Sequence, residues 1–266
     1  MWNGAHVLVT GAASGIGRAL AAAFAARGAR VSTADVAIDA LRLKAQAIGA
    51  TAIACDVSDQ GQVEAMIDAA IAANGPIDLV CSNAGIGRNK ALATTTEANL
   101  DLLFGVNFNS ALFVAQAYLR RLQAAGRTGR ILFTASENSL GIPDAVREMK
   151  LGAYAATKHA LLILVEWMRE EWRDGPLAPA LLFPGPVLTE PFQAAMASGR
   201  FGEGMDPARK TAFESQLISA EACAERAIAG LERGLFYIPT QPHIQTDMHA
   251  RISELDAAFD AMRDLY

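Results

Sequence analysis

The chain is poor in charge: only 19% of its 266 residues are charged, against about a quarter in an average globular domain. Acids outnumber bases, 28 Asp and Glu against 23 Lys and Arg, for a net charge of −5. No basic block appears, so no nucleic-acid partner is expected. Cysteine is scarce too. Cys55, Cys81 and Cys223 make neither a C-x-x-C pair nor an even framework, which argues against disulfides and zinc and predicts buried reduced thiols. His243 and His249 are too sparse to suggest any other metal. No unbroken apolar run reaches about 18 residues, so no membrane partner is expected. The opening stretch has no basic segment before a long apolar one, so no signal peptide is apparent, and the expected location is cytoplasmic.

What the chain does have is apolar surface, 52% of its residues. Short runs rich in Val, Ile and Leu alternate with longer Ala-rich segments. Residues 5–10, 29–35, 51–56, 77–83, 129–136 and 178–184 read as strands. The segments between them read as helices, including one long helix over 97–124. That alternation marks βαβ units, and six such strands give an α/β fold, a doubly wound, Rossmann-type parallel sheet with helices on both faces. No linker divides the chain, so one domain is expected. Irregular sequence gathers at 137–153 and 186–219, both after strand ends, where open α/β sheets bind ligands.

The stretch "TGAASGIG", Thr10 to Gly17, lies between the first strand and the first helix. Gly11, Gly15 and Gly17 permit a tight turn and close approach of a pyrophosphate. Ser14 and Ile16 stand where the helix N-terminus offers free N–H groups. Asp35 ends the second strand, where a carboxylate can accept from both ribose hydroxyls of NAD and would repel the 2′-phosphate of NADP. Val36 follows it, and no Arg or Lys stands in the glycine loop before Gly17. NAD is therefore the expected cofactor.

Tyr154 and Lys158 stand four residues apart on one helix face, so phenol and ammonium can lie side by side. Taken together, "TGAASGIG", Asp35, Asp56 and Val57, "NAG" at 83–85, Asn107, Ser136, "YAATK" at 154–158 and "PGPVLT" at 184–189 resemble the short-chain dehydrogenase/reductase family, over nearly the whole chain. The resemblance implies a role for each position. Asp56 and Val57 contact adenine. Asn83, Ala84 and Gly85 form the turn beside the ribose, and Pro184, Gly185, Val187 and Thr189 border the nicotinamide. Tyr154 is the acid/base, Lys158 its partner and a ribose ligand, and Ser136 orients the substrate. Asn107 holds a water that links Lys158 to solvent. A free tyrosine, with a pKa of about 10, is a poor base at neutral pH; a lysine cation one turn away favours its phenolate.

The implied activity is hydride transfer between NAD and a secondary alcohol or ketone. An NADP-dependent carbonyl reductase and a non-catalytic dinucleotide-sensing protein are the alternatives. Two features depart from the family pattern. Eighteen positions separate Ser136 from Tyr154, about five more than usual in the family, and Ser139 is a second candidate for the orienting hydroxyl. Ser136 is preferred, because it directly ends a strand. The lid over 186–219 carries Phe192, Met196, Phe201 and Met205, which suggest a bulky apolar or aromatic substrate unless they pack on the body. In the tail, 234–264, an edge strand precedes a helix with Met248, Ile252, Leu255, Phe259 and Met262 on one stripe that needs a partner surface. The tail resembles that of family members that oxidise aryl-alkyl alcohols. The apolar excess of helices 97–124 and 152–173, with the pairing of their counterparts in the family, predicts a homo-oligomer, a dimer or tetramer.

Overall fold

The computed structural model describes residues 1–197 and 205–265. Phe201, expected in the lid, lies outside them. The strand signals form the sheet they predict. The elements in chain order are β1 (His6–Thr10), α1 (Gly15–Ala26), β2 (Arg30–Asp35), α2 (Ile38–Ala47), β3 (Thr51–Ala54), α3 (Gln60–Asn74) and β4 (Leu79–Ser82). After them come α4 (Glu97–Phe104), α5 (Ser110–Ala125), β5 (Gly129–Thr134), α6 (Gly152–Glu171) and β6 (Leu177–Phe183). The chain closes with β7 (Val187–Leu188), α7 (Glu190–Ala197), α8 (Pro207–Gln216), β8 (Ile218–Ser219), α9 (Ala220–Glu232), β9 (Tyr237–Pro239) and α10 (His243–Ala261).

Seven strands form one parallel sheet in the order β3-β2-β1-β4-β5-β6-β9. Winding reverses between β1 and β4, where Val7 pairs with Val31 on one side and Leu79 on the other. Such a reversal splays the loops apart at the carboxyl ends of the strands and leaves a crevice there. Alternate residues feed opposite cores. Leu8 joins Met66, Tyr118 and Val165 beneath α3, α5 and α6, whereas Val7 and Val9 join Phe24, Leu41 and Ile228 beneath α1, α2 and α9. Local chemistry sets the helix ends. Asp59 caps α3 by accepting from Gln62 N at 3.0 Å, Ser219 caps α9 through Ala222 N, and Gly126 ends α5 in the left-handed conformation. The small β7–β8 pair joins the loop after β6 to the start of α9.

Three expectations change. The helix over 97–124 is broken: residues 105–109 form a π turn between α4 and α5, an extra residue of the kind that often accompanies function. Over its full length, Glu97–Ala125, this run is apolar enough to cross a membrane by length and composition. It lacks an unbroken apolar stretch, yet its mean hydropathy is high because one face, with Val114, Tyr118 and Leu122, is built for the core. The insert at 137–153 is ordered into two short 3₁₀ turns. It packs Ala145 and Val146 on Phe213 and Phe192 of the lid, so Phe192 serves the body of the protein. Arg209 of α8 reinforces the contact through Asp144 and Glu148.

Candidate active site

At the switch point lies a cleft of about 530 Å³. Gly11, Ser14, Gly15, Ile16, Asp35, Asn83, Ala84, Gly85, Ser136, Tyr154, Lys158, Pro184, Gly185, Val187 and Thr189 all line it. Gly17 does not; a Cβ there would collide with Gly11 O, so it allows the turn to close on itself. Gly11 has φ +65, and a Cβ on it would come 2.8 Å from Ala84 Cα, so only glycine lets β1 and β4 approach this closely. Asp56 and Val57, expected beside the adenine, lie outside this lining. The Asp56 carboxylate turns back on its own loop, accepting from Ser58 N at 2.9 Å and Ser58 Oγ at 2.7 Å, and Val57 is buried.

Asp35 is held open to the cleft by two backbone donors, Ala13 N to Oδ2 at 3.0 Å and Ala37 N to Oδ1 at 2.9 Å. Asn83 ties strand ends together, donating to Thr10 O at 3.1 Å and accepting from Thr134 Oγ1 at 3.1 Å. Thr10, which the sequence did not single out, accepts from the backbone N–H of both Asn83 and Ala84. Glu190 was not anticipated either. Its carboxylate accepts from Gly15 N at 2.7 Å and pairs with Arg18 at 2.7 Å, so an anion already sits on the N-terminus of α1. Burial alone would raise this carboxyl, but the Gly15 N–H and Arg18 hold it below its usual range.

At the other end of the cleft, Lys158 is buried and its Nζ donates to Thr134 O at 2.8 Å. Burial lowers its pKa to about 8. The ammonium stands 5.9 Å from the centre of the Tyr154 ring. Burial is the main influence on the phenol and pushes its pKa up; a hydrogen bond with Ser136 opposes this and the charge of Glu137 adds to it. The Lys158 amine is turned to the Thr134 carbonyl, and burial dominates the phenol in the protein alone. Ser136 accepts from Asn138 N at 3.2 Å and stands with Tyr154 on the cleft wall. Ser139 is fully buried and does not line the cleft.

Asn107 sits buried in the π turn, accepting from Ile86 N at 2.8 Å and donating to Ile86 O at 2.9 Å and Thr157 Oγ1 at 3.1 Å. Both of its amide N–H bonds are spent on protein. Its side chain therefore holds the Ile86 loop.

The tail reaches the site, which the sequence did not reveal. Gln241 Oε1 accepts from Gly185 N at 2.9 Å, and its Nε2 donates to Pro186 O at 2.8 Å. His243 Nε2 lies 2.8 Å from Glu137 Oε2, and a methyl on Gly185 would press on both side chains. Glu137 is buried next to Ser136, and burial raises its pKa, which His243 opposes and Asp247 reinforces. The donor atoms of Glu137, His243 and Asp247 lie within 4.8 Å of one another. The sparse histidines thus include one with two acid neighbours, although its nitrogen is already bonded to Glu137.

The arrangement suits proton exchange at a substrate oxygen held between a phenol and a hydroxyl, beside a groove shaped for a dinucleotide. Fit to a dinucleotide rests on three observations: the Gly11–Ala84 approach, the anion on Gly15 N and the outward carboxylate of Asp35. A short chain dehydrogenase family model matches residues 5–198. The chain is 31% identical over 255 residues to the 1-deoxy-11-beta-hydroxypentalenate dehydrogenase of Streptomyces avermitilis, covering 93% of this chain and 88% of that one. It is 37% identical over 166 residues to the sorbitol dehydrogenase of Cereibacter sphaeroides, covering 62% and 63%. A short chain dehydrogenase/reductase of Burkholderia phymatum, solved in complex with NAD, superposes with a TM-score of 0.81 at 27% identity, covering 97% and 96%. The chain belongs to the short-chain dehydrogenase/reductase family. It is an oxidoreductase of alcohols and ketones.

Proposed function

We propose that the protein is an NAD-dependent dehydrogenase of secondary alcohols, running in reverse as a ketone reductase. The observation that carries the cofactor choice is Asp35, a carboxylate fixed by two backbone donors on the cleft wall. It would accept from ribose hydroxyls and repel a 2′-phosphate. Gly11, Ser14, Gly15 and Ile16 would hold the pyrophosphate once Glu190 yields. Asn83, Ala84 and Gly85 would border the ribose, and Pro184, Gly185, Val187 and Thr189 the nicotinamide. When bound, the cofactor supplies the hydride acceptor.

The rest is the work of side chains. Tyr154 takes the hydroxyl proton of the alcohol and returns one to the ketone. Ser136 donates to the same oxygen as charge develops there. Lys158 holds a positive charge beside the phenol, and a cationic nicotinamide would add to it, offsetting the upward push of burial. Asn107 keeps the Ile86 loop in register. Trp167 on α6 is 59% exposed and Phe259 on α10 is 64% exposed, which supports assembly as a homo-oligomer. Three buried free cysteines fit a reducing, cytoplasmic setting.

The test is absorbance of reduced nicotinamide with NAD and NADP across a panel of aliphatic, sugar-like and aryl secondary alcohols. NAD should exceed NADP by about tenfold or more in kcat/KM, the scale of one close charge repulsion. An NADP preference would overturn the role of Asp35.

A further inference from the structure

Across Leu151, which lines both spaces, the cleft is flanked by a larger cavity of about 840 Å³ among the insert, α6 and α10. Asn138 lines the larger space and donates to Ser136 Oγ in the smaller. Leu92, Ile142, Val146 and Leu151 make its walls apolar.

Its charges are not balanced. Lys90, Arg147, Lys150 and Arg251 line it against Asp247 and Glu254, a positive surplus in a chain of net charge −5. Arg147 is shared with Asp144 at 3.0 Å. Asp247 is occupied elsewhere, facing His243 and accepting from the backbone of Asp144. Among the described residues, Lys90, Lys150 and Arg251 have no carboxylate as an ion-pair partner.

Two of these cations are set by their surroundings. Arg251 Nη1 lies 2.7 Å from His159 Nε2, and His159 Nδ1 lies 3.0 Å from Ala155 O. A guanidinium only donates and a carbonyl only accepts, so Nε2 carries the lone pair and Nδ1 the proton. His159 is therefore a neutral anchor that aims Arg251. Lys150 has φ +55, the one positive φ outside glycine among the described residues, a conformation unfavourable for a lysine. Its carbonyl accepts from Lys90 N at 2.9 Å, which places both lysines on one rim.

From this geometry we infer that the substrate is an anionic secondary alcohol or ketone: an apolar skeleton that carries a carboxylate away from the reacting carbon. The carbinol end lies at Tyr154 and Ser136, the skeleton crosses Leu151, and the carboxylate meets Arg251, Lys150 and Lys90. The inference rests on the oxidoreductase reading of Tyr154 for its reacting end only.

The experiment uses ω-(para-acetylphenyl)alkanoic acids of increasing chain length, each with its methyl ester and primary amide. Reduction is followed with NADH, and binding of each compound to the NADH-loaded protein is titrated calorimetrically. At one chain length or more, the carboxylate should exceed both neutral partners by roughly tenfold in kcat/KM and in affinity, the scale of one charge-assisted hydrogen bond. Arg251→Gln, and independently Lys150→Asn, whose asparagine tolerates the left-handed backbone, should shrink that advantage while NADH affinity holds. Equal or ester-favouring affinity at every length overturns the inference, whether or not turnover is seen. A carboxylate preference in binding without turnover supports it and instead counts against the proposed reaction.

Discussion

The two ends of the cleft are built differently. At the cofactor end, Gly11, Asp35, Asn83 and Thr134 stand at or just beyond the carboxyl ends of β1, β2, β4 and β5, and the sheet itself holds them together. At the substrate end, the contacts join distant chain segments. Gly185 meets Gln241 across 56 residues, His159 meets Arg251 across 92, and Glu137 meets His243 across 106. A strand-end site comes with the fold. A site closed by the tail depends on where an insert and a last helix happen to dock, so it can be changed without touching the sheet.

Glu137→Gln breaks this contrast most severely, because it alters the distal end yet should be felt at the phenol. Glutamine keeps a partner for His243 but removes the charge that raises Tyr154. The phenol pKa then falls, so the acidic limb of the kcat/KM profile for alcohol oxidation should move to lower pH. A profile identical to wild type would show that Glu137 does not reach the phenol. The same change has a stability signature. The Glu137 pKa is raised in the fold, so its contribution to wild-type stability is full below the ordinary carboxylate pKa and is lost as pH rises through the raised value. The glutamine variant should lack that decline in melting temperature against pH.

A smaller effect should come from the cofactor end. Glu190 competes there for the α1 N-terminus that a pyrophosphate would use. Glu190→Gln should tighten NAD binding a few-fold, since a charge at a helix N-terminus contributes about 0.3–1 kcal/mol. Weaker binding would mean that the Glu190–Arg18 pair supports the cofactor groove instead of competing for it.

The same contrast explains what the sequence revealed. The glycine loop, Asp35 and the Tyr154–Lys158 spacing are local patterns whose chemistry follows from their position on a strand end or helix face. The doubly wound class follows from the strand–helix alternation with the right-handed crossover rule, and the tail's edge strand adds a seventh strand, β9. Asn107 stood out by resemblance, but not the π turn that carries it, since a single extra residue leaves the helical periodicity almost intact. Glu190 carries no local pattern that marks it for the α1 N-terminus, which lies 175 residues away in sequence. His243 looked isolated because its partner Glu137 is far away in sequence, and the tail stripe of Ile252, Leu255 and Phe259, exposed in the single chain, says only that a surface is missing. Asp56 and Val57 were placed by resemblance, since no local pattern marks an adenine contact.

In the proposed reaction, Tyr154 moves the proton. Measuring single-turnover oxidation of a secondary alcohol by wild type and Tyr154→Phe, with NADH affinity determined in parallel, tests it most directly. The variant's rate should be lower by about 10²–10⁴-fold with cofactor affinity unchanged. A phenylalanine variant that turns over within a few-fold of wild type would contradict it.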